Sequence, residues 1–134
     1  MDQRLRPSNL VPDGFVVEHS SIDGEGVTVS VRAAAGGSAC PACGAISRRI
    51  QSRYCRQVAD LPLAGRRVEI QVMARRFWCD AVLCGRRIFA ERFAPDVLAP
   101  WARRTGRLDY IIHHLGLALG GRPASGFAKR LMVP

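Results

Sequence analysis

The stretch "RRFWCDAVLCGRRIF", residues 75–89, decides how this chain reads. It places Cys79 and Cys84 in a basic, partly aromatic run, which alone fits a redox pair, a disulfide or half of a metal site. A second half lies upstream in "CPACG", residues 40–44. There Pro41 and Gly44 shape a tight knuckle that turns the thiols of Cys40 and Cys43 toward one ion. Structural zinc sites take four tetrahedral ligands, and four thiolates are a standard set. The 35 residues between Cys43 and Cys79 exceed the usual ribbon insert of about 15–20. They contain strand-like segments, so the insert is expected to be a β-excursion that returns to the metal.

Cysteine usage points the same way. The N-terminus "MDQRLRPSNLVPDG" has no apolar core of a secretory signal, and no apolar run approaches the length of a membrane span. The expected setting is a reducing cytoplasm, with no membrane partner. In that compartment close cysteine pairs are more often ligands or catalytic groups than disulfides. Five cysteines would also leave one unpaired in a disulfide framework. A thioredoxin-like motif requires a βαβ context, whereas the flanks of "CPAC" read as hairpins. Buried unpaired thiols remain an alternative, strained if applied to both pairs. Cys55 reads as a packed or free thiol. His19, at a strand end, and His113 and His114, on a helix, are poor ligand candidates.

With 134 residues the chain has room for one modest core, as a whole domain or as part of something larger. Its formal net charge is +9, which favours a polyanionic partner such as nucleic acid; a solvated basic surface is the bland alternative. The charge is concentrated in the middle. Residues 44–107 hold 14 Arg against Asp60, Glu69, Asp80, Glu91 and Asp96, and Lys129 is the one lysine. Arginine's planar fork suits phosphate. Candidate DNA contacts are Arg48, Arg49, Arg53 and Arg56, with Arg103 and Arg104 ahead of the helical tail. Arg75, Arg76, Arg86 and Arg87 are candidates with two possible duties, because zinc held by four thiolates carries a net charge of about −2 that outer donors stabilise. Phe77 and Trp78 read as core in preference to stacking platforms.

The fold class expected is α+β: a β-rich, zinc-ribbon-like module followed by helices. "FVVEHSSIDGEGVTVSVRAAAGG" reads as a hairpin turning at "DGEG", with Val27, Val29 and Val31 on one face. "RRIQSRYCRQV" reads as a short extended segment, and "DLPLAGRR" as a turn. "RRVEIQVMARRFWC" is the clearest strand, with Val68, Ile70 and Val72 on one face, and "RRIFAERF" is another. Leu108, Ile111, Ile112, Leu115 and Leu119 then recur at helical spacing up to Gly120 and Gly121. A second short helix is expected to turn Phe127, Leu131 and Met132 inward. The expected divisions are 1–37, an N-terminal hairpin region; 38–94, the zinc-binding module; and 95–134, the helical segment. Asp60, Asp80 and Asp96 read as turn or cap residues, and no convergent carboxylates, Ser-His-Asp set or phosphate loop is apparent.

Residues 40–93, from the C-P-x-C-G knuckle through "DLPLAG" and "RRFWC" to "RRIFAER", resemble the N-terminal zinc-binding domain of bacterial insertion-sequence transposases of the ISL-three group. "RRTGRLDYIIHHLGLALGGRPASGFAKRL" is similar to the first helices of the helix-turn-helix that follows there. The resemblance implies zinc on Cys40, Cys43, Cys79 and Cys84, and binding to double-stranded DNA at the terminal inverted repeats of a mobile element. Members continue into an RNase-H-like domain whose three acidic residues hold Mg²⁺. The chain stops short of that domain, so it is expected to be a truncated or partial transposase that is no enzyme alone. A zinc-stabilised self-association module is the alternative, for which "YIIHHLGLAL" offers an apolar surface.

Overall fold

A computed structural model describes residues 6–134; the first five residues of the expected 1–37 region lie outside the described residues. Strand β1 (Phe15–Asp23) pairs antiparallel with β2 (Gly26–Ala33), and Gly24 turns the chain between them at a left-handed φ of 55°. Two two-residue strands, β3 (Ser38–Ala39) and β4 (Ile46–Ser47), form a miniature hairpin around "CPACG". The longest strands follow, β5 (Ile50–Leu63) and β6 (Arg66–Trp78), paired antiparallel across a turn at Ala64 and Gly65. Both turn residues have positive φ, 50° and 73°. That is the mirror-image turn that matches strand twist. β7 (Ile88–Ala90) then pairs with the end of β6.

β2 lies parallel to β6, in register from Gly26↔Arg67 to Val31↔Val72, so the sheet order is β1-β2-β6-β5. The N-terminal hairpin and the cysteine-bearing strands therefore share one sheet. The alternation in β2 and β6 explains the core: Val27, Val29, Val31, Val68, Ile70 and Val72 face one side and pack with Val58, Phe15 and Leu98. Thr28, Ser30, Glu69 and Gln71 occupy the opposite, more open face.

Two strand readings are corrected. The segment expected to be short is a strand of 14 residues, and "DLPL", expected as part of a turn, is its end. Pro62 is accommodated because the register shifts between Asp60 and Leu63, where a ladder N–H is not required.

Helix α1 (Gly106–Leu119) begins behind Thr105, whose hydroxyl accepts from the Leu108 N–H, and ends at Gly120, with φ 75°. Gly120 alone separates it from α2 (Gly121–Arg130). Leu108 is buried, but Ile111, Leu117 and Leu119 are exposed. Phe127 and Leu131, expected to face inward, are also exposed; Ala124 and Val133 are buried instead. The apolar spacing identified helices correctly, but they pack mainly on each other and leave part of that surface open. Among the described residues, no helix is long and apolar enough to cross a membrane.

Candidate metal centre and basic surface

Two knuckles meet at one end of the sheet. In the first, the Cys40 N–H donates to the Ala45 carbonyl (2.9 Å) and the Gly44 N–H to the Cys40 carbonyl (2.7 Å). Gly44 takes a φ of 77°, which L side chains rarely adopt. In the second, the Cys79 N–H donates to the Arg87 carbonyl (2.7 Å) and the Cys84 N–H to the Ala81 carbonyl (3.1 Å). β5 and β6 together carry the chain away from the first knuckle and back to the second. The long insert between the cysteine pairs is therefore a β-excursion, as expected.

The Sγ atoms of Cys40, Cys43, Cys79 and Cys84 lie within 4.8 Å of one another. Cys40 and Cys84 are 3.9 Å apart, and Cys43 and Cys79 are 3.6 Å apart. A tetrahedral ion with Zn–S bonds of about 2.3 Å places its sulfurs about 3.8 Å from one another. The donor set and its spacing fit such an ion. Cys40 is buried with Phe77 and Phe89, whose rings stack 5.7 Å apart, and Ile50 closes this small cluster. Phe77 is thus core, as read.

The thiols differ in acidity. Burial raises the Cys40 pKa, but hydrogen bonds from the backbone at Ala42 and Cys43 and from the neighbouring thiols outweigh it and bring it to about 7. At Cys79 the Ala81 backbone favours the thiolate; desolvation and the three other sulfurs prevail and push it up to about 12. Close thiolates repel one another, and a divalent ion held among them would offset that charge. Cys55 is exposed within β5 and is not one of the clustered thiols.

Residues 37–84 match the family described as the zinc-finger of transposase IS204/IS1001/IS1096/IS1165. Neither the curated proteins nor the solved structures gave a match. The transposase zinc-finger segment thus begins at Gly37, where any side chain would strike the Ser47 carbonyl, and ends at the fourth thiol. Residues 37–84 of the chain are thus similar to a transposase zinc-finger, and the four cysteines at its two ends are placed to hold a metal ion.

The candidate arginines are not one surface. Arg48 and Arg53 are exposed on the zinc-ribbon side of β5, and Arg86 and Arg87 are exposed on the second knuckle. Arg49 bridges the knuckles: it pairs with Asp80 and lies 5.5 Å over the Trp78 ring. Arg76 stacks 4.2 Å from the Tyr54 ring. Arg103 is exposed, and Arg104 lies 3.6 Å from Asp109.

Two candidates are committed within the fold. Arg75, whose guanidinium was given a choice between the cluster and DNA, instead grips the buried Glu91 through Nε and Nη2 and donates to the Ala35 carbonyl. Arg56 donates to the carbonyls of Ala99 (3.3 Å) and Ala102 (2.9 Å). Asp60, read as a turn residue, is 1% exposed; it accepts from Thr105 Oγ1 (2.7 Å) and Arg107 Nε (2.8 Å). Glu91, Thr105 and Arg107 had no local signal of these roles. Their partners lie 16, 45 and 47 positions away.

Proposed function

We propose that this chain is the zinc-binding, DNA-contacting part of a transposase, which holds the terminal inverted repeats of a mobile element in double-stranded DNA. The observation that carries the reading is the four-thiol cluster inside the segment matching the transposase zinc-finger. Zn²⁺ would be held by Cys40, Cys43, Cys79 and Cys84, where it would fix two knuckles and contribute no reacting ligand position. The exposed Arg48, Arg49, Arg53, Arg76, Arg86, Arg87, Arg103 and Arg104 then supply phosphate contacts around and beyond the ribbon.

The proposed role gives four of the acids no part in strand cleavage. Asp60 and Glu91 are bound to arginines in the interior, and Asp80 and Asp109 have arginine partners at the surface. Two-metal phosphoryl transfer instead needs carboxylates that converge on the ions.

The test is metal analysis of the purified chain followed by a gel shift with the element's inverted repeats across a salt series. Expected are one Zn²⁺ per chain and an affinity that falls steeply with salt. Absent zinc, or binding indifferent to salt, refutes the reading. The second reading is self-association through the helical tail, favoured by the exposed Leu117, Leu119, Phe127 and Leu131. Sedimentation at several concentrations decides it, since a strict monomer excludes it.

A further inference from the structure

Trp101 does not fit the ordinary behaviour of its residue type. It is 90% exposed, and its backbone sits at a φ of 65°. A bulky side chain in the left-handed region is an outlier that persists only when its surroundings hold it. Here the holder is Arg56: its guanidinium reaches across from β5 to the carbonyls of Ala99 and Ala102, which flank Trp101 on either side. The fold thus spends a half-buried arginine on a turn whose tip is an indole in water.

Trp101 lines a groove of about 420 Å³, bounded by β5, β7 and residues 98–102 and lined in part also by Tyr54, Arg56, Arg86 and Ile88. This volume is within the range of small-molecule clefts, about 300–1,000 Å³. Its lining combines the aromatic rings of Tyr54 and Trp101 with the cations Arg86 and Arg92, and Arg76 adjoins it on the Tyr54 ring, 4.2 Å from its centroid. Glu91 also lines the groove, but its carboxylate is held by Arg75. An aromatic platform beside arginines suits a ligand that has π-faces linked by anions. Stacking gives base contact without sequence preference, and the guanidinium groups track the phosphates.

We propose that this groove takes an unpaired nucleobase, stacked on Trp101, with the adjoining phosphates at Arg76 and Arg86. The proposal rests on the nucleic-acid reading above and adds a preference for single-stranded or locally opened DNA at this face. Trp101 is the stacking residue; Arg56 positions it.

The test uses the zinc-loaded chain carrying Trp78→Phe, which leaves Trp101 as the one tryptophan. It is titrated with a short oligothymidine and with a blunt duplex of equal length. Trp101 emission is expected to be quenched by the single strand and much less by the duplex. Trp101→Ala should lose roughly ten-fold in single-strand affinity, with Trp101→Phe retaining most of it and duplex binding little changed. Binding of the single strand with unchanged emission and no loss in Trp101→Ala overturns the stacking assignment alone, as does equal quenching by the duplex. A chain that binds neither nucleic acid overturns this proposal together with the DNA-binding reading.

Discussion

At the scale of single residues, the four clustered thiols are expected to be individually required. Replacing Cys40, Cys43, Cys79 or Cys84 by Ser removes a ligand and should abolish stoichiometric zinc, read by metal analysis, whereas Cys55→Ser should bind zinc normally. Because the ligands must be thiolates, metal retention should weaken as pH falls and protons compete for sulfur. Arg75 and Glu91 give a different residue-level expectation. Their side chains are 15% and 2% exposed, so Arg75→Ala strands a buried carboxylate. Such a loss costs about 3–5 kcal/mol, measurable by denaturant titration. The hydrogen bonds that Arg75 donates to the Glu91 carboxylate raise the Arg75 pKa above its ordinary value. Stability gained on the arginine side is therefore fully present below that ordinary value and fades only in strong alkali. None of these long-range pairings was legible in sequence, because a buried acid and its arginine carry no local pattern. The cysteines were legible because ligand spacing is itself the local pattern.

At the scale of elements, the junction between β5 and α1 determines how the helices are attached. Thr105 both caps α1 and donates to Asp60, while Arg107 on the first turn of the helix holds the same carboxylate and the Leu10 carbonyl. Loss of a cap costs about 0.5–2 kcal/mol, and Thr105→Ala should lie at or above the upper end because Asp60 also loses a donor. Hydrogen exchange should report faster opening of α1, with β6 unchanged. Gly106 is equally constrained: a Cβ there would strike the Asp96 carbonyl. Gly106→Ala is expected to destabilise the same junction even though alanine is the better helix former. β6 was readable from Val68, Ile70 and Val72 because alternation is what a half-buried strand requires. β5 was misjudged because Pro62 reads as a turn, yet the bulge lets it lie within the strand. Helical spacing likewise located α1 and α2 without saying what covers Phe127 or Leu131, since periodicity describes one helix and not its neighbours.

For the whole molecule, two apolar clusters matter: the sheet core around Val31, Ile70 and Val72, and the small cluster of Cys40, Phe77 and Phe89 under the thiols. Chelation is expected to melt the second and spare much of the first, so that exchange protection is lost at residues 38–50 and 77–90 but retained in the middle of β2 and β6. The parallel pairing of β2 with β6 that builds the first cluster was not foreseeable, because strand partners are chosen by the assembled sheet. It separates the two ends of the molecule along β6. From Phe77, under the thiols, to Val68, opposite Asp60, the strand spans about 30 Å at roughly 3.4 Å per residue. One turn of duplex DNA is about 34 Å. The long hairpin is nearly that length. A duplex lying along it would meet the knuckles and the helical end on nearly the same side of its axis, and footprinting should show two protected patches about one turn apart.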